Sequence, residues 1–410
     1  MQLFGKHRIY LDYASATPLM QSAARAMREA EQLTGNPGSI HDEGVRASRS
    51  LQNSRARIAR ELGCKPREII FTSGITESNN LAILGFARSL EMSCHENPAS
   101  QHKSDKSDLC GLRGTHWIAS AIEHSSVLEC FAEIERKGGK ISYAEPDSRG
   151  IISPESVAML LRRETVCISV GWANNEIGVI QPLSSIARVI RAHEKKHGTR
   201  VIFHSDAGQA PLYLSATAHS LGVDLLSVGA AKLYGPHGIG ALYVNGRAEP
   251  APILLGGGQE RGLRSGTENV ALAAGFAEAF ECIARERATE SKRLGLLCNE
   301  LLRGLDAGIP GIIVNGDSKH ALPHMLNISV PRVGGEYMTL SLDRAGIFIS
   351  TKSACGEGTE KESHVIAALG GEPWRAENSL RFSLGRDTTG SDVRQVVTEC
   401  AAIVSRLRPR

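Results

Sequence analysis

Three features that would narrow the function are absent from this chain of 410 residues. Lys and Arg outnumber Asp and Glu by only 47 − 44 = 3, so the charge gives no reason to expect direct binding of nucleic acid. No apolar stretch approaches the roughly 20 residues that span a membrane, and the N-terminus lacks a signal-peptide core. The nine cysteines contain no CxxC pair, which argues against a disulfide framework and a zinc site. We therefore expect a protein of the reducing cytoplasm.

The length and the order of sequence patterns predict two domains. A chain of this length can bury a sizeable core and is too long for one small domain. Strand-like runs alternate with helical patterns from about Ile69 to Val244, which predicts an α/β fold with a mostly parallel sheet covered by helices. After Thr267 a long Ala-, Glu- and Arg-rich helix follows, at about 270–305, and then short strands. This change indicates the start of a smaller α+β domain.

A polar stretch at about 91–114 fits neither domain. It is aperiodic and has no hydrophobic face, so we interpret it as a surface loop inserted between a helix and the next strand. Some of its side chains could bind a metal, but their spacing matches no zinc pattern, and we predict no metal site. These side chains are Cys94, His95, His102 and Cys110.

Lys232 occupies a position suited to covalent chemistry. It lies between an apolar run typical of a buried strand and a Gly- and Pro-rich stretch that cannot continue that strand. A second apolar run, at 201–205, ends in the carboxylate of Asp206. Together they predict a pyridoxal phosphate site, with Lys232 forming the Schiff base and Asp206 keeping the pyridine nitrogen protonated. Taken alone, Lys232 is equally compatible with a solvated lysine at a strand end.

Polar residues follow other predicted strands in the same way. His124 follows one apolar run, and Asn174 and Asn175 follow another. Because the carboxyl ends of parallel strands converge on one crevice, we expect these side chains to lie in the same crevice as Lys232.

A phosphate site is predicted where a strand, a turn at Gly74 and a helix start follow one another. Free backbone N–H groups and the positive end of the helix dipole make such a junction an anion site. The hydroxyl of Thr76 lies at this junction, although an ordinary helix cap explains Thr76 equally well.

Short motifs stand in a characteristic order along the chain. They are Tyr10-Leu-Asp-Tyr13, Gly35-Asn-Pro37, Thr72-Ser-Gly-Ile-Thr-Glu-Ser78, Glu123-His124, Asn174-Asn-Glu-Ile-Gly178, Asp206-Ala-Gly-Gln209, Lys232-Leu-Tyr-Gly-Pro236, Gly257-Gly-Gln-Glu-Arg-Gly262, Arg264-Ser-Gly-Thr267, Ser353-Ala-Cys355 and Arg381-Phe-Ser-Leu-Gly-Arg386. Each motif alone is weak, whereas their order and spacing together are specific. On these motifs the chain resembles the cysteine desulfurases, pyridoxal phosphate enzymes of the class V aminotransferase group, from Tyr10 to about Arg386.

The resemblance implies a fold-type I pyridoxal phosphate transferase. Its large cofactor-binding domain would comprise residues 16–265 with the polar insertion, and its small domain residues 1–15 and 266–410 with the cysteine loop. The family also implies a homodimer, in which Thr267 of one subunit reaches the cofactor phosphate of the other. Sulfur removed from L-cysteine would pass to an iron–sulfur scaffold or another acceptor protein, for iron–sulfur cluster assembly or tRNA thiolation.

The same resemblance assigns the cofactor contacts. Asp206 and Gln209 would tune the pyridine nitrogen and the phenolic oxygen, and His124 would stack on the ring. The phosphate would be bound by Thr76 and by the backbone amides of Ile75 and Thr76.

The resemblance also assigns the substrate chemistry. Arg381 would bind the substrate carboxylate as a bidentate ion pair, with help from Asn175, which also contacts the cofactor. Lys232 and His124 would move protons on and off the substrate Cα. Cys355 would attack the substrate sulfur, leaving L-alanine and a persulfide on the enzyme.

The sequence around Cys355 fits this role. It lies beside Lys352 in a Gly-rich, charged loop between an apolar strand and a helix that starts near Ser363. A thiol on an exposed loop beside a lysine ionises more easily than a buried one. Other cysteines lie in helical or strand patterns, and we predict packing roles for them. These are Cys64, Cys130, Cys167, Cys282, Cys298 and Cys400.

Two positions depart from the family pattern. Members usually read Ser-x-His-Lys where this chain has Gly229-Ala-Ala-Lys232, so a phosphate-binding hydroxyl and an imidazole are missing. Gly208 stands where the family often has Thr. Each lost hydrogen bond to a charged group costs about 1.5 to 3 kcal/mol, or about ten- to hundredfold in affinity. We expect a working enzyme with weakened phosphate binding.

Three functions stay open at this point. The first is a cysteine desulfurase. The second is a related lyase acting on selenocysteine or another amino acid, which would not need Cys355 for every substrate. The third is a non-catalytic binding protein with the same fold, for which Gly229-Ala-Ala231 is the only indication and against which the retained Lys232 and Asp206 argue.

Overall fold

The computed structural model describes residues 8–96, 111–215, 217–351 and 362–407. Twelve strands occur in these ranges, and seven of them, β2 to β8, form one sheet. The strands are β1 (Ile9–Tyr10), β2 (Ile69–Thr72), β3 (His116–Ser120), β4 (Lys140–Ala144), β5 (Thr165–Ser169), β6 (Ile202–Asp206), β7 (Leu225–Gly229), β8 (Gly240–Val244), β9 (Ile313–Val314), β10 (Met325–Ser329), β11 (Ile347–Phe348) and β12 (Ser379–Ser383).

The large sheet is mostly parallel, as predicted. Its strand order is β2-β8-β7-β6-β5-β3-β4. The neighbours from β4 to β7 pair in parallel, whereas β8 is antiparallel to both β7 and β2. Consequently β8 alone is reversed, and the other strands of the sheet all end at the same edge. The sheet begins at Ile69 and ends at Val244, the limits that the sequence pattern indicates.

Helices cover both faces of this sheet. The helices in the described ranges are α1 (Gln21–Ala30), α2 (Asp42–Glu61), α3 (Ile75–Glu96), α4 (Ser125–Arg136), α5 (Pro154–Leu160), α6 (Leu183–His197), α7 (Ala218–Leu221), α8 (Val270–Gly308), α9 (Gly335–Arg344), α10 (His364–Ala368), α11 (Trp374–Glu377) and α12 (Gly390–Leu407). Because successive strand side chains point to opposite faces, Ile69 and Phe71 join one core and Ile70 joins the other. All five residues of β7 are buried, which explains its uninterrupted apolar sequence.

The remaining strands lie outside this sheet. β12, β10 and β9 form a three-stranded antiparallel sheet, and β1 pairs in parallel with β11. A bridge between Asp12 and Ser383 joins the N-terminal residues to β12. The long helix predicted at about 270–305 is present as α8, which packs on α1, α2 and α12. α1 and α2 belong to the predicted large domain and α12 to the predicted small domain, yet α8 contacts all three. These contacts mark no boundary, so the domain limits at 15/16 and 265/266 stay predictions.

The predicted polar loop at about 91–114 starts later than expected. α3 continues through Glu96, beyond the predicted start, because no Pro or Gly interrupts the chain from 91 to 96. The side chains of Cys94, His95, His102 and Cys110 lie outside the described residues, as does the whole of Cys355 with its loop. In the part of the chain that is described, no group of His, Cys, Asp and Glu side chains is arranged to hold a metal. No helix there has the length and apolar composition to cross a membrane.

A buried ion pair attaches the Gly-rich segment at 257–262 to α2. Arg55 donates from its two Nη atoms to Glu260, at 2.6 and 2.7 Å, and the two side chains are only 9% and 2% exposed. Glu260 also accepts from the backbone N–H of Phe71 at 2.8 Å. Its φ of 48° lies in the left-handed region, which is strained for a residue with a side chain. The ion pair therefore holds a strained turn against β2.

We expect Arg55→Ala to lower the free energy of unfolding by about 3 to 5 kcal/mol, because it leaves Glu260 buried without its partner. Urea denaturation followed by circular dichroism measures this change. The matched control is Arg46→Ala on the same helix, which removes an exposed ion pair with Glu43 and should change stability by less than about 1 kcal/mol. Equal, small effects of both variants would show that the buried pair does not hold the turn.

Candidate active site

The carboxyl ends of the co-directional strands open onto one cavity of about 240 Å³. The structure brings most of the predicted site residues together around it. Those that line the cavity are Ile75, Thr76, His124, Asn175, Asp206, Gln209, Lys232 and Arg381. Thr267 is exposed and is not part of this lining, and Cys355 lies outside the described residues.

Lys232 is positioned by a short turn directly after β7. The strand ends at Gly229, and residues 230–232 form one 3₁₀ turn. Thr17 holds this turn, because its backbone N–H and its Oγ1 both donate to the carbonyl of Ala231, at 3.0 and 2.9 Å. Thr17 also accepts from the N–H of Tyr234 at 2.7 Å, and it is 3% exposed. The sequence analysis did not identify Thr17, since nothing local links it to a residue more than 200 positions away.

Asp206, the last residue of β6, is oriented from two sides. Its Oδ1 accepts from the backbone N–H of Gly208 at 2.8 Å, and its Oδ2 accepts from Asn79 Nδ2 at 2.7 Å. Asn79 is fully buried and also donates to Ser126 Oγ at 2.9 Å. The sequence analysis missed Asn79, although a signal existed. It follows Ile75 by four residues on α3 and therefore lies on the same helix face.

His124 caps the N-terminus of α4 with its ring. Its Nδ1 accepts from the backbone N–H of Ser126 at 3.1 Å. Since this contact requires an unprotonated Nδ1, the neutral ring carries its proton on Nε2. Burial and then the positive charge of Lys232 lower the pKa of His124, which favours the neutral ring. The neutral ring therefore offers an N–H donor at Nε2, while its Nδ1 lone pair is used by the helix.

Arg381 lies on β12 and is 1% exposed. Its Nη2 donates to Asp12 Oδ1 and to Ser15 Oγ, each at 2.7 Å, and its Nη1 donates to the carbonyl oxygen of Asn175 at 3.0 Å. Its Nε has no hydrogen-bond partner among the described residues. The guanidinium therefore keeps a buried donor for a further acceptor. The sequence analysis did not predict the ion pair with Asp12, because the two residues are far apart in the chain.

Gln209 is held by one end of its amide. Its Nε2 donates to the carbonyl oxygen of Ala14 at 2.7 Å, and the side chain is 2% exposed. Its Oε1 is buried and has no hydrogen-bond partner among the described residues.

Glu123 is a buried carboxyl group beside the cavity. Its Oε1 accepts from the backbone N–H of Gly171 at 2.6 Å, and the residue is 3% exposed. Burial is the main cause that raises the pKa of Glu123 to about 8, and the negative charge of Asp206 acts in the same direction. The carboxyl group is therefore mostly protonated at neutral pH.

The predicted anion site at the start of α3 has the expected backbone. Gly74, between β2 and α3, has a φ of 156°. Gly240, at the start of β8, lies against it, and a Cβ atom there would be 2.8 Å from the Gly74 backbone. Glu77 accepts from the N–H of Ser73 at 2.7 Å and from Arg264 Nε at 2.9 Å. These contacts outweigh burial and lower the pKa of Glu77. The first N–H groups of α3 have no partner within the helix, so they are available to an anion.

These residues fit pyridoxal phosphate. The cavity combines an amine, a carboxylate, an imidazole and a helix N-terminus, which match the aldehyde, the pyridine nitrogen, the ring face and the phosphate of this cofactor. Buried polar atoms normally have hydrogen-bond partners, so atoms that lack one indicate a ligand. The cavity residues Gln209 and Arg381 each have such an atom, Oε1 and Nε.

Comparison with known proteins identifies the family. The family described as aminotransferase class V matches residues 9–95 and 109–396. The chain belongs to this family. Class V aminotransferases are pyridoxal phosphate enzymes, so the predicted cofactor and fold class are confirmed.

Family members resemble the chain over nearly its full length. The cysteine desulfurase IscS of Dictyoglomus turgidum is 36% identical over 404 residues, which cover 98% of this chain and 96% of that protein. The solved structure of a NifS-like protein has a TM-score of 0.86 at 31% identity and covers 98% of this chain and 100% of its own. The structure of SspA in complex with cysteine has a TM-score of 0.74 at 31% identity, covering 92% and 98%.

The raised pKa of Glu123 gives a testable pH dependence. Its ordinary value is 4.5, and its folded-state value is about 8. The folded chain therefore keeps a proton that the unfolded chain loses, and this contribution to stability is complete below about pH 4.5 and is lost as the pH rises to about 8. Between these values we expect the unfolding free energy of the wild type to fall relative to that of Glu123→Gln, by several kcal/mol at most, since one pKa unit corresponds to about 1.4 kcal/mol.

Urea denaturation across this pH range measures the difference. Glu129→Gln, which changes an exposed carboxylate on α4, is the matched control and should give a pH-independent difference. A pH-independent difference for Glu123→Gln as well would contradict the assignment of a protonated carboxyl group.

Proposed function

We propose that this chain is a pyridoxal phosphate-dependent cysteine desulfurase, which converts L-cysteine to L-alanine and holds the sulfur as a persulfide on Cys355. One observation carries the proposal. Lys232, Asp206, His124 and Arg381 surround a single cavity in a chain that is 36% identical, over 98% of its length, to a cysteine desulfurase.

The cofactor, when bound, supplies an electron sink for the carbanion at the substrate Cα. Asp206 would face the pyridine nitrogen, and the two donors to its oxygens, from Asn79 and Gly208, fix its orientation. The Ile75 and Thr76 amides would hold the phosphate at the positive end of α3. Gln209 would face the phenolic oxygen, to which the second N–H of its amide could donate.

Arg381 binds the substrate carboxylate. Before substrate enters, Asp12 balances its charge, which lowers the cost of a buried guanidinium. The Nε atom, which has no partner among the described residues, supplies a donor to the incoming carboxylate. Asn175, whose backbone carbonyl accepts from Arg381, lines the same cavity. This arrangement favours amino acids with a free α-carboxylate.

Lys232 and His124 move protons at the substrate Cα. Lys232 would hold the cofactor as a Schiff base, and its free amine would serve as a base at the substrate Cα. His124 is kept largely neutral by burial and by the charge of Lys232, so its Nε2–H would serve as a proton donor. Their shared position in the cavity supports a division of acid and base roles between them.

Cys355 accepts the sulfur as a thiolate. An S–S bond to the substrate sulfur forms while the substrate C–S bond breaks, and protonation of the remaining carbon gives alanine. The residues that flank its loop support this role. Ser350 exchanges backbone hydrogen bonds with Arg381, at 3.2 and 2.7 Å, and His364 Nε2 lies 3.0 Å from the carbonyl oxygen of Glu123. Both ends of the loop therefore adjoin the cavity.

The serine variant of Cys355 tests the function. Cys355→Ser keeps a similar volume but removes the nucleophile, so we expect cysteine to bind and change the absorption of the bound cofactor while alanine formation falls at least about hundredfold. Mass spectrometry of the wild type after brief exposure to cysteine should find the extra sulfur on the peptide that contains Cys355. Cys282→Ser, on α8, is the control and should keep the wild-type rate. Wild-type turnover in Cys355→Ser would instead identify a lyase.

We also propose a homodimer. Thr267 is exposed and does not line its own cavity, and exposed apolar side chains of Leu254 and Leu255, 46% and 65% accessible, lie close to it in sequence. Ion pairs from Arg55 to Glu260 and from Arg264 to Glu77 fix the intervening segment to α2 and to the first turn of α3. These ion pairs favour a rigid loop that contributes Thr267 to a neighbouring subunit.

We further propose that the protein acts in the cytoplasm and passes its sulfur to an iron–sulfur scaffold or to a tRNA-thiolation protein.

Sedimentation velocity tests the dimer. The wild type should sediment as a dimer of the 44.0 kDa chain, and Leu255→Arg should shift it toward monomer with lower activity, since a charge would be buried in the interface. Met159→Arg, at an 81% exposed position on α5, is the control and should leave the dimer intact. A fully active wild-type monomer would contradict the proposal.

A further inference from the structure

Ile75 excludes any larger side chain at two neighbouring glycines of the cavity. A Cβ atom on Gly229 would lie 2.5 Å from Ile75 Cγ1 and 3.0 Å from Ile75 Cδ1. A Cβ atom on Gly208 would lie 3.0 Å from the same Cδ1. Real Cβ atoms essentially never approach other atoms closer than 3.0 Å, so Gly229 is the stricter position. The three residues therefore form one steric unit.

The backbone does not require either glycine. Gly229 has φ −147° and ψ 142°, which is extended backbone that any residue adopts. Gly208 is not among the glycines with positive φ. Space, rather than conformation, therefore restricts both positions, and the space is taken by Ile75.

The two glycines beside Ile75 also lie close to other groups of the site. A Cβ on Gly208 would lie 3.1 Å from Asp206 Oδ1 and 3.8 Å from Lys232 Cδ. A Cβ on Gly229 would lie 3.5 Å from the backbone nitrogen of Ile75, one of the N–H groups at the start of α3. A side chain at 229 would therefore point toward an anion bound at this helix start. Ile75 places carbon atoms where such a side chain could otherwise offer a hydroxyl.

We propose that Ile75 limits how tightly this chain holds the phosphate of its cofactor. Its side chain fills the space beside Gly229 through which a hydroxyl side chain at position 229 would reach the start of α3. The phosphate then depends on the backbone amides and on Thr76. The proposal rests on the cofactor site proposed above, but not on the chemistry of Cys355. Ile75 and Gly229 are a coupled pair, because a hydroxyl side chain at position 229 can strengthen phosphate binding only when Ile75 is replaced by a smaller residue.

The test compares four full-length proteins after removal of cofactor: the wild type, Gly229→Ser, Ile75→Ala and the double variant. Dissociation constants for pyridoxal phosphate and for pyridoxal, which lacks the phosphate, are measured by fluorescence titration. Gly229→Ser alone should weaken pyridoxal phosphate binding at least about tenfold, because the introduced side chain clashes with Ile75. The double variant should bind pyridoxal phosphate about ten- to hundredfold more tightly than Ile75→Ala, with the affinity for pyridoxal unchanged, because only the phosphate gains a hydrogen bond.

A second double variant separates shape from hydrogen bonding. Ile75→Ala with Gly229→Ala relieves the clash without adding a hydroxyl and should match Ile75→Ala alone. Thermal unfolding of each cofactor-free protein checks the fold, and if Gly229→Ser does not fold, the comparison of the two double variants carries the test. The proposal is overturned if Gly229→Ser binds pyridoxal phosphate as tightly as the wild type, or if the two double variants bind it equally. Failure of the wild type to bind pyridoxal phosphate would overturn the cofactor assignment itself.

Discussion

The common direction of the strands is the constraint on which the site depends. A strand that is followed by a parallel neighbour needs a crossover, so the loop after it at the carboxyl edge lies between a strand end and a helix start. His124 follows β3 and Asp206 ends β6, both before such crossovers, whereas Lys232 lies in the short connection from β7 to the reversed β8. All three residues line one cavity. The small antiparallel sheet then closes the cavity from outside with Arg381. Each side chain is fixed by rigid backbone, so the distances between them do not rely on long flexible loops.

Much of this arrangement can be predicted from the sequence, because it depends on local patterns. The alternation of apolar runs and helical stretches predicts the parallel sheet, and polar residues after apolar runs predict which side chains meet. Asn79, Asp12 and Thr17 are different. They act through partners more than 100 residues away. Helical spacing from Ile75 indicates the face of α3 on which Asn79 lies, but no local pattern indicates that Asn79 will hold Asp206 or that Thr17 will hold the Lys232 turn. Such contacts follow from the tertiary structure alone.

The two departures from the family pattern, Gly208 and Gly229, are explained by the tertiary structure and not by the sequence. In the sequence, Gly208 and Gly229 are two separate losses of polar side chains. In the structure they are two sides of one space that Ile75 fills. The wall of the cavity therefore has apolar packing at the place where the family pattern has polar side chains, and it stays closely packed.

The single reversed strand has a consequence for the order in which the protein becomes functional. Among the described residues β2 lies at the sheet edge and pairs only with β8, so Ile69 meets Tyr243 across more than 170 intervening residues. During synthesis the N-terminal portion emerges first, yet β2 has no strand to pair with until β8 has left the ribosome. Contacts of such long sequence separation form late and slowly. The edge strand that leads into the start of α3 therefore joins the large sheet only after most of the residues that line the cavity have been synthesised.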